Sequence, residues 1–217
     1  MICLIAAVAF ALFFNSVGSS LLSGGATSIA CLAILVLGLP HGSLDIALMR
    51  HRSSLDRWRI SAIVMIYLGL AGVMAAIWYV APVVALASFL GIASVHFAED
   101  WLPDQPPFFA LGTACAVLTA PALLHHGMIS NIFVQLTGNT LAATLADFAM
   151  LVAPVALITA GVGIILAWRE ARSVDAIETA AILIAMVLLP PVIGFAMFFC
   201  LSHSPRHFAA AKGELRT

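Results

Sequence analysis

The sequence predicts an all-α fold: a polytopic transmembrane bundle of about eight helices, forming a single integral membrane domain over residues 1–217. Of the 217 residues, 63% are hydrophobic and only 9% are charged, and the mean hydropathy is +1.13. Soluble domains carry roughly 25% charged residues, so this chain has too few polar side chains to cover a water-facing surface. Its apolar residues also fall into stretches of about 20, which is the length needed to cross a bilayer core about 30 Å thick.

The charges and the cysteines exclude several other classes of protein. Nine Lys and Arg balance ten Asp and Glu, so there is no net field to attract nucleic acid, and we expect no nucleic-acid partner. The four cysteines lie far apart in apolar runs and are predicted to be packing residues, not a disulfide framework. No charged side chain precedes Asp45, so the first apolar stretch lacks the basic flank of a signal peptide and is expected to remain as a spanning helix.

Eight apolar stretches mark the expected helices. They cover residues 2–22, 26–48, 60–80, 83–98, 108–124, 145–168, 176–189 and 192–211. The polar stretch 127–144 is expected to be a loop or a re-entrant piece. The last two stretches form either a hairpin at Pro190-Pro191 or one long helix that is kinked there, because proline interrupts helical hydrogen bonding.

Basic residues in short loops set the predicted orientation. Four arginines between residues 50 and 59 separate the second and third helices, which places that loop and the N-terminus in the cytoplasm. With a hairpin at Pro190-Pro191 the last helix ends at Lys212 and Arg216 on the same side, whereas a kink would place both charges outside. The hairpin is therefore favoured, and we expect a multi-pass protein of the cell (inner) membrane, in direct contact with the lipid bilayer.

Histidines within the apolar stretches are the candidate functional residues, because an ionisable side chain at membrane depth is costly. The candidates for metal binding are His41, His96, His203 and His207. The last two are four residues apart, so a helix projects them from one face, where they can hold one metal ion together.

A carboxylate follows two of these histidines at the same spacing. Asp45 follows His41 and Asp100 follows His96. A carboxylate one helical turn away can accept the second ring N–H of a metal-binding histidine and so fix its tautomer and direction. We predict this orienting role for both aspartates; the alternative is that they are interfacial charges near helix ends, which is the preferred interpretation for Glu99.

The predicted depths allow the histidines to meet. His41 precedes Arg50 by nine residues and His203 precedes Lys212 by nine, which is about 13 Å along a helix in each case. With the hairpin, both lie at one level in the cytoplasmic half, and His96 lies about one turn shallower.

Ligand type and surroundings narrow the chemistry. Four neutral imidazoles suit Fe, Zn or Cu. Phe195, Phe198 and Phe199 stand one to three turns before His203; they are either ordinary packing residues or the wall of a site for an apolar molecule that enters from the lipid. An Fe(II) centre that uses O2 on a long polyene is consistent with this pattern.

Four further residues and one proline near the histidine motifs are not expected to bind the metal. His125 and His126 are predicted to be interfacial, and His51 to be solvated. Arg206 pairs with a carboxylate or, preferably, meets lipid headgroups. Pro205 either bends the last helix or marks a local helix start.

Three motifs together resemble the Brp/Blh family, the bacterial and archaeal membrane β-carotene 15,15'-dioxygenases. They are P-H-G-x-x-D at 40–45, H-F-x-x-D at 96–100 and H-S-x-R-H at 203–207, in the family's order and with its long spacings. The resemblance implies cleavage of the central 15,15' double bond of β-carotene by O2 to two all-trans-retinal, with Fe(2+) held by histidines. Carried over by motif, the catalytic metal ligands are His41, His96, His203 and His207.

The resemblance also implies a partner and a difference in length. A retinal-binding rhodopsin is the expected downstream consumer of the product. Family members continue for further helices after the last histidine pair, whereas ten residues follow His207 here. We therefore expect a chain shortened at its C-terminus. The shortening leaves the set of metal ligands intact but affects whether the substrate tunnel is closed.

Three other functions stay open. The alternative function is a non-catalytic membrane metal or haem carrier, with histidines as transport or axial ligands. A membrane di-iron desaturase or hydroxylase uses more histidines in H-x-x-H-H boxes, and this sequence has seven histidines and no such box. The histidines of a purely structural protein would only hydrogen-bond within the bundle.

Overall fold

The structure is a bundle of helices. It is a computed structural model that describes Gly25, residues 27–37 and residues 56–214, and all regular structure in these residues is helical. The helices are α1 (Thr27–Leu37), α2 (Arg57–Val80), α3 (Pro82–Ala98), α4 (Pro107–Thr119), α5 (Ala122–Thr137), α6 (Ala143–Arg169), α7 (Ser173–Leu188), α8 (Pro191–Phe198) and α9 (Ser204–Glu214). The all-α prediction is confirmed, while predicted helix 2–22 and most of 26–48 lie outside the described residues.

Prolines and one capping aspartate set where several helices begin. Pro82, Pro107 and Pro191 are each the first residue of a helix, a position where the missing N–H costs no hydrogen bond. Asp56 caps α2, since its Oδ1 accepts the Arg59 N–H at 2.9 Å. Predicted helices 60–80 and 83–98 are thus confirmed with slightly earlier starts.

Two helices of the described part are long and apolar enough to cross a membrane. They are Trp58–Val80 and Thr140–Arg169, and the latter includes a short 3-10 turn before α6. The pair α4 and α5, bent by 65° relative to each other, makes a third candidate if it forms one broken span. These candidates support a membrane protein.

The chain bends between α4 and α5, and the predicted bounds of the helix are wrong here. The predicted helix 108–124 ends at Thr119, and residues 127–137, predicted as a loop or a re-entrant piece, are helical and part of α5. The bent pair of α4 and α5 is compatible with the re-entrant alternative and not with a simple loop. Pro121 accounts for the break, because it supplies no N–H and crowds the preceding turn. α5 is amphipathic, with Ile129 and Phe133 buried one turn apart, and it ends at Gly138, whose φ of +64° favours glycine.

The chain reverses direction between α7 and α8. A Cβ placed on Gly194 would lie 3.1 Å from the carbonyl oxygen of Ala185. In one continuous helix these residues would be about 13 Å apart. Leu189 and Pro190 have extended backbone angles and form the turn. The predicted hairpin is confirmed, and the kinked-helix alternative is wrong.

The last predicted helix, 192–211, is interrupted. α8 is followed by a π-helical turn, Phe199–His203, before α9 begins at Ser204. The Ser204 N–H donates to the Phe199 carbonyl, five residues back, so one extra residue enters the turn. Pro205 is the second residue of α9 and therefore marks a local helix start.

Small side chains line the centre of the bundle. All seven buried residues of α6 are alanine or glycine: Ala146, Ala149, Ala153, Ala156, Ala160, Gly163 and Ala167. They face α4, α5 and α7. Small residues at such spacing let helix backbones approach closely, which is how helices associate in lipid. The buried face of α6 thus brings α4, α5 and α7 into close contact with one helix.

Candidate metal centre

Three of the predicted histidines come together. His96 is on the last turn of α3, His203 ends the π-helical turn, and His207 is on the first turns of α9. The ring centroids are 5.2 Å apart for His96 and His203, 5.4 Å for His96 and His207, and 4.6 Å for His203 and His207. One ligand atom from each ring lies within 4.8 Å of the others, a spacing at which they can share one metal ion.

The carboxylate of Asp100 contacts two rings of this cluster. The Nδ1–H of His203 donates to its Oδ2 at 2.8 Å, and Nε2 of His207 lies 3.5 Å from its Oδ1. Both partners of the short contact are buried, with side-chain exposures of 1% for His203 and 2% for Asp100. A metal bound by His203 would therefore be held through Nε2, with Asp100 fixing the tautomer.

The predicted partner of Asp100 is corrected by this geometry. The predicted pairing of Asp100 with His96 assumed that the helix continues from residue 96 to residue 100. In the structure α3 ends at Ala98, and the next residues form a tight turn. That turn points Asp100 toward His203. The carboxylate beside Nδ1 of His96 is Glu99, at 3.5 Å, which the sequence favoured as an interfacial charge.

The neighbours of Asp100 keep its carboxyl group ionised. Burial raises the pKa of its carboxyl, but hydrogen bonds from His203 and His207 and the nearby charge of Arg206 lower it by more, to about 2 from 3.8. Asp100 therefore carries a negative charge, which would offset the charge of a bound metal cation.

Aromatic rings surround the buried side of the cluster. Phe97 meets His203 edge-on at 4.9 Å, and the rings of Phe198 and Phe199 lie 5.7 and 5.4 Å from it. Phe198 is fully buried and is a packing residue, whereas Phe195 and Phe199 are partly exposed and stack on each other. Sequence reasoning found Phe195, Phe198 and Phe199 but missed Phe97.

A polar network behind the cluster was also missed. Glu178 of α7 accepts the Ser202 hydroxyl at 2.8 Å and pairs with Arg206 at 2.9 Å. Thr179, the next residue, accepts the Trp101 indole N–H at 3.1 Å. Arg206 thus pairs with a carboxylate, and the preferred headgroup interpretation is wrong. The available signal was a lone carboxylate within the apolar stretch 176–189.

A polar cavity adjoins this network. Its volume is about 270 Å³, and its lining includes Asp100, Glu178 and Arg206. A more open cavity of about 220 Å³ borders Glu99 and His207. Polar groups of the site are therefore accessible to water from one side, while His203 itself is fully buried.

The remaining predicted residues lie elsewhere or outside the description. His41, Asp45 and His51 are outside the described residues, so the roles of His41 and Asp45 stay predictions. His126 pairs with Asp147 of α6 at 2.9 Å and is not part of the histidine cluster.

Comparison with known proteins agrees with the three-motif resemblance. The family model of β-carotene 15,15'-dioxygenase matches residues 32–216. The chain is 29% identical, over 199 residues, to the β-carotene 15,15'-dioxygenase of uncultured marine bacterium 66A03, in an alignment that covers 84% of this chain and 68% of that relative. It is 30% identical, over 207 residues, to the "Probable β-carotene 15,15'-dioxygenase Blh" of Halobacterium salinarum, with coverages of 82% and 59%.

The chain thus spans about two thirds of the length of these relatives. No solved structure matches it. Because the family model covers most of the residues, including all three histidine motifs, this chain belongs to the β-carotene 15,15'-dioxygenase family.

Proposed function

We propose that this chain cleaves the central 15,15' double bond of β-carotene with O2 and yields two molecules of all-trans-retinal. The observation that carries the proposal is the convergence of His96, His203 and His207, with ligand atoms within 4.8 Å of one another, in a chain of this family. These residues come from two parts of the chain about 100 residues apart. A shared metal ion would explain why they lie together, because metal binding stabilises the fold that brings its ligands together.

The metal of this proposal is Fe(II), held by His41, His96, His203 and His207. Imidazole nitrogens suit iron, and the carboxylate on His203 Nδ1 is the usual outer partner of a metal-binding histidine. The described residues therefore fit the ion. When bound, Fe(II) supplies the one-electron chemistry that lets ground-state O2 react with an alkene.

The other residues of the site position the reactants. Asp100 holds His203 in one tautomer, and its negative charge balances the cation in surroundings of low polarity. The partly exposed rings of Phe195 and Phe199 offer an apolar surface against which an extended polyene can pack. Phe97 and Phe198 close the buried side and exclude water.

The proposal includes the cellular setting. The chain is a multi-pass protein of the inner membrane with a cytoplasmic N-terminus, and both β-carotene and O2 reach the site through the lipid. A retinal-binding rhodopsin takes up the product. The spanning helices Trp58–Val80 and Thr140–Arg169 support a membrane setting by length and composition.

Expression in cells that accumulate β-carotene tests the activity. We expect the orange colour to fade and retinal to appear with the unchanged chain. His203→Ala and His41→Ala should each abolish both effects, while His126→Ala, which removes a histidine outside the cluster, should not. Persistent bleaching by His203→Ala, or no bleaching by the unchanged chain, would overturn the proposal.

Metal analysis of purified protein separates the oxygenase from a haem carrier. Colourless mononuclear iron at one ion per chain supports the oxygenase. A haem Soret band supports the alternative of a non-catalytic membrane haem carrier.

A further inference from the structure

Glu178 places a carboxylate where the surrounding sequence is apolar. It lies in the second turn of α7, and only 13% of its side chain is exposed. A carboxylate removed from water is costly unless it is paired and hydrogen-bonded. Glu178 meets this requirement with one oxygen, Oε1, which is 2.8 Å from the Ser202 hydroxyl and 2.9 Å from Nη2 of Arg206.

The two partners of Glu178 occupy equivalent places beside the histidines. Ser202 immediately precedes His203, and Arg206 immediately precedes His207. One carboxylate oxygen therefore contacts the side chain that precedes each histidine. It does so across the junction where the π-helical turn gives way to α9.

The same network reaches the third histidine-bearing element. Nη1 of Arg206 donates to the Asp100 carbonyl at 3.2 Å, and the indole of Trp101 donates to Thr179, the neighbour of Glu178. Two successive residues of α7 thus connect the turn after α3 with the α8–α9 junction. Those are the two segments whose relative position sets the spacing of the histidine cluster.

A π-helical turn makes such a restraint necessary. Its one-residue insertion changes the direction of the side chains that follow, so the placement of His203 and His207 depends on how this turn is held. A small rotation at the junction would carry His203 and His207 together away from His96. The contacts of Glu178 oppose that rotation.

We propose that Glu178 is a positioning residue: its carboxylate fixes the π-helical junction and thereby sets the metal affinity and coordination geometry of the three-histidine cluster. This inference rests on the proposed metal site and deepens it. Glu178 does not touch the metal ion in this proposal and acts only through Ser202 and Arg206.

Metal binding by the purified full chain tests the inference, with Co(II) as a spectroscopic probe of the site. Glu178→Gln retains the shape of the side chain but removes its charge, and Asp175→Asn removes a more exposed carboxylate one turn earlier in α7. We expect Glu178→Gln to weaken Co(II) binding about tenfold, at the lower end of the range for outer-sphere residues. We also expect it to shift the Co(II) absorption bands, and Asp175→Asn to match the unchanged chain.

The outcomes separate the two proposals. If the unchanged chain bound no Co(II), the metal site itself would be wrong. If it bound Co(II) and Glu178→Gln bound it equally well with the same bands, only the positioning role would fail. A residue with a merely structural role would lower the unfolding temperature of the metal-free protein without moving the bands.

A double variant checks the route of the effect. Ser202→Ala combined with Arg206→Gln removes both partners of Glu178, so adding Glu178→Gln to that pair should change Co(II) affinity little further. A full additional tenfold loss would mean that Glu178 acts through other contacts and would overturn the inference. Ser202→Ala alone keeps the ion pair and gives a milder test if Glu178→Gln does not fold.

Discussion

Asp100→Asn removes the negative charge beneath the histidine cluster while keeping nearly the same side-chain shape. The asparagine can accept the Nδ1–H of His203 with its carbonyl oxygen, but its amide group then faces His207 where a carboxylate oxygen was 3.5 Å away. The variant therefore tests the charge of the site more than its packing.

The lost charge has one consequence for folding and another for metal binding. A pKa lowered from 3.8 to about 2 corresponds to about 2 kcal/mol of preference for the ionised carboxylate in the folded protein. Because this pKa is lowered, the contribution is complete above about pH 4 and is lost as the pH falls through about 2. Loss of an outer carboxylate typically weakens metal binding about 10- to 100-fold, or about 1.4 to 2.7 kcal/mol. We expect a change in this range at pH 7.

Co(II) titration of the detergent-solubilised chain measures the affinity, and Asp104→Asn is the matched control. Asp104 is in the same turn but is exposed. NMR of ring nitrogens should show the Nδ1–H tautomer of His203 in both proteins, because the asparagine carbonyl still accepts that N–H. Equal Co(II) affinity for Asp100→Asn and the unchanged chain would refute the role of the Asp100 charge in metal binding.

Two further predictions concern helix packing and the contact between His126 and Asp147. Gly112→Ala should lower the free energy of unfolding by about 1–3 kcal/mol, because the new Cβ would lie 2.8 Å from Cβ of Thr159 and closer still to its Cγ2. The control is Gly161→Ala, where no atom lies within 4 Å of the new Cβ. Thermal unfolding should show that this control is neutral or slightly stabilising. His126→Ala breaks the exposed pair with Asp147 and should change stability by less than about 1 kcal/mol and Co(II) affinity not at all; weaker Co(II) binding would place His126 in the site.

Local spacing predicted the parts of the site that local structure controls. His203 and His207 lie together because four residues make about one helical turn. The hairpin at Pro190-Pro191 followed from charge placement on the two sides of the membrane, and the motif that contains His96 supplied the third ring. Each of these features can be deduced within one short segment or from the balance of loop charges.

Contacts between distant segments were not predictable in the same way. Asp100 lies beyond the end of α3, where helical periodicity no longer applies, so its partner depends on a turn that the spacing does not reveal. Glu178 reaches Ser202 across the hairpin, 24 residues along the chain. The π-helical turn Phe199–His203 has no composition that distinguishes it from an α-helix. The stretch 127–137 was predicted only as a loop or a re-entrant piece, because its polar residues hid the buried pair on one face.

The alanine and glycine face of α6 has a consequence for the entropy of assembly. Side chains of these two residues have no rotamers to lose when helices pack. The central helix of the bundle therefore joins three neighbours while ordering almost no side-chain torsions on its buried face. Close backbone fit can then drive association at this face at little cost in side-chain entropy.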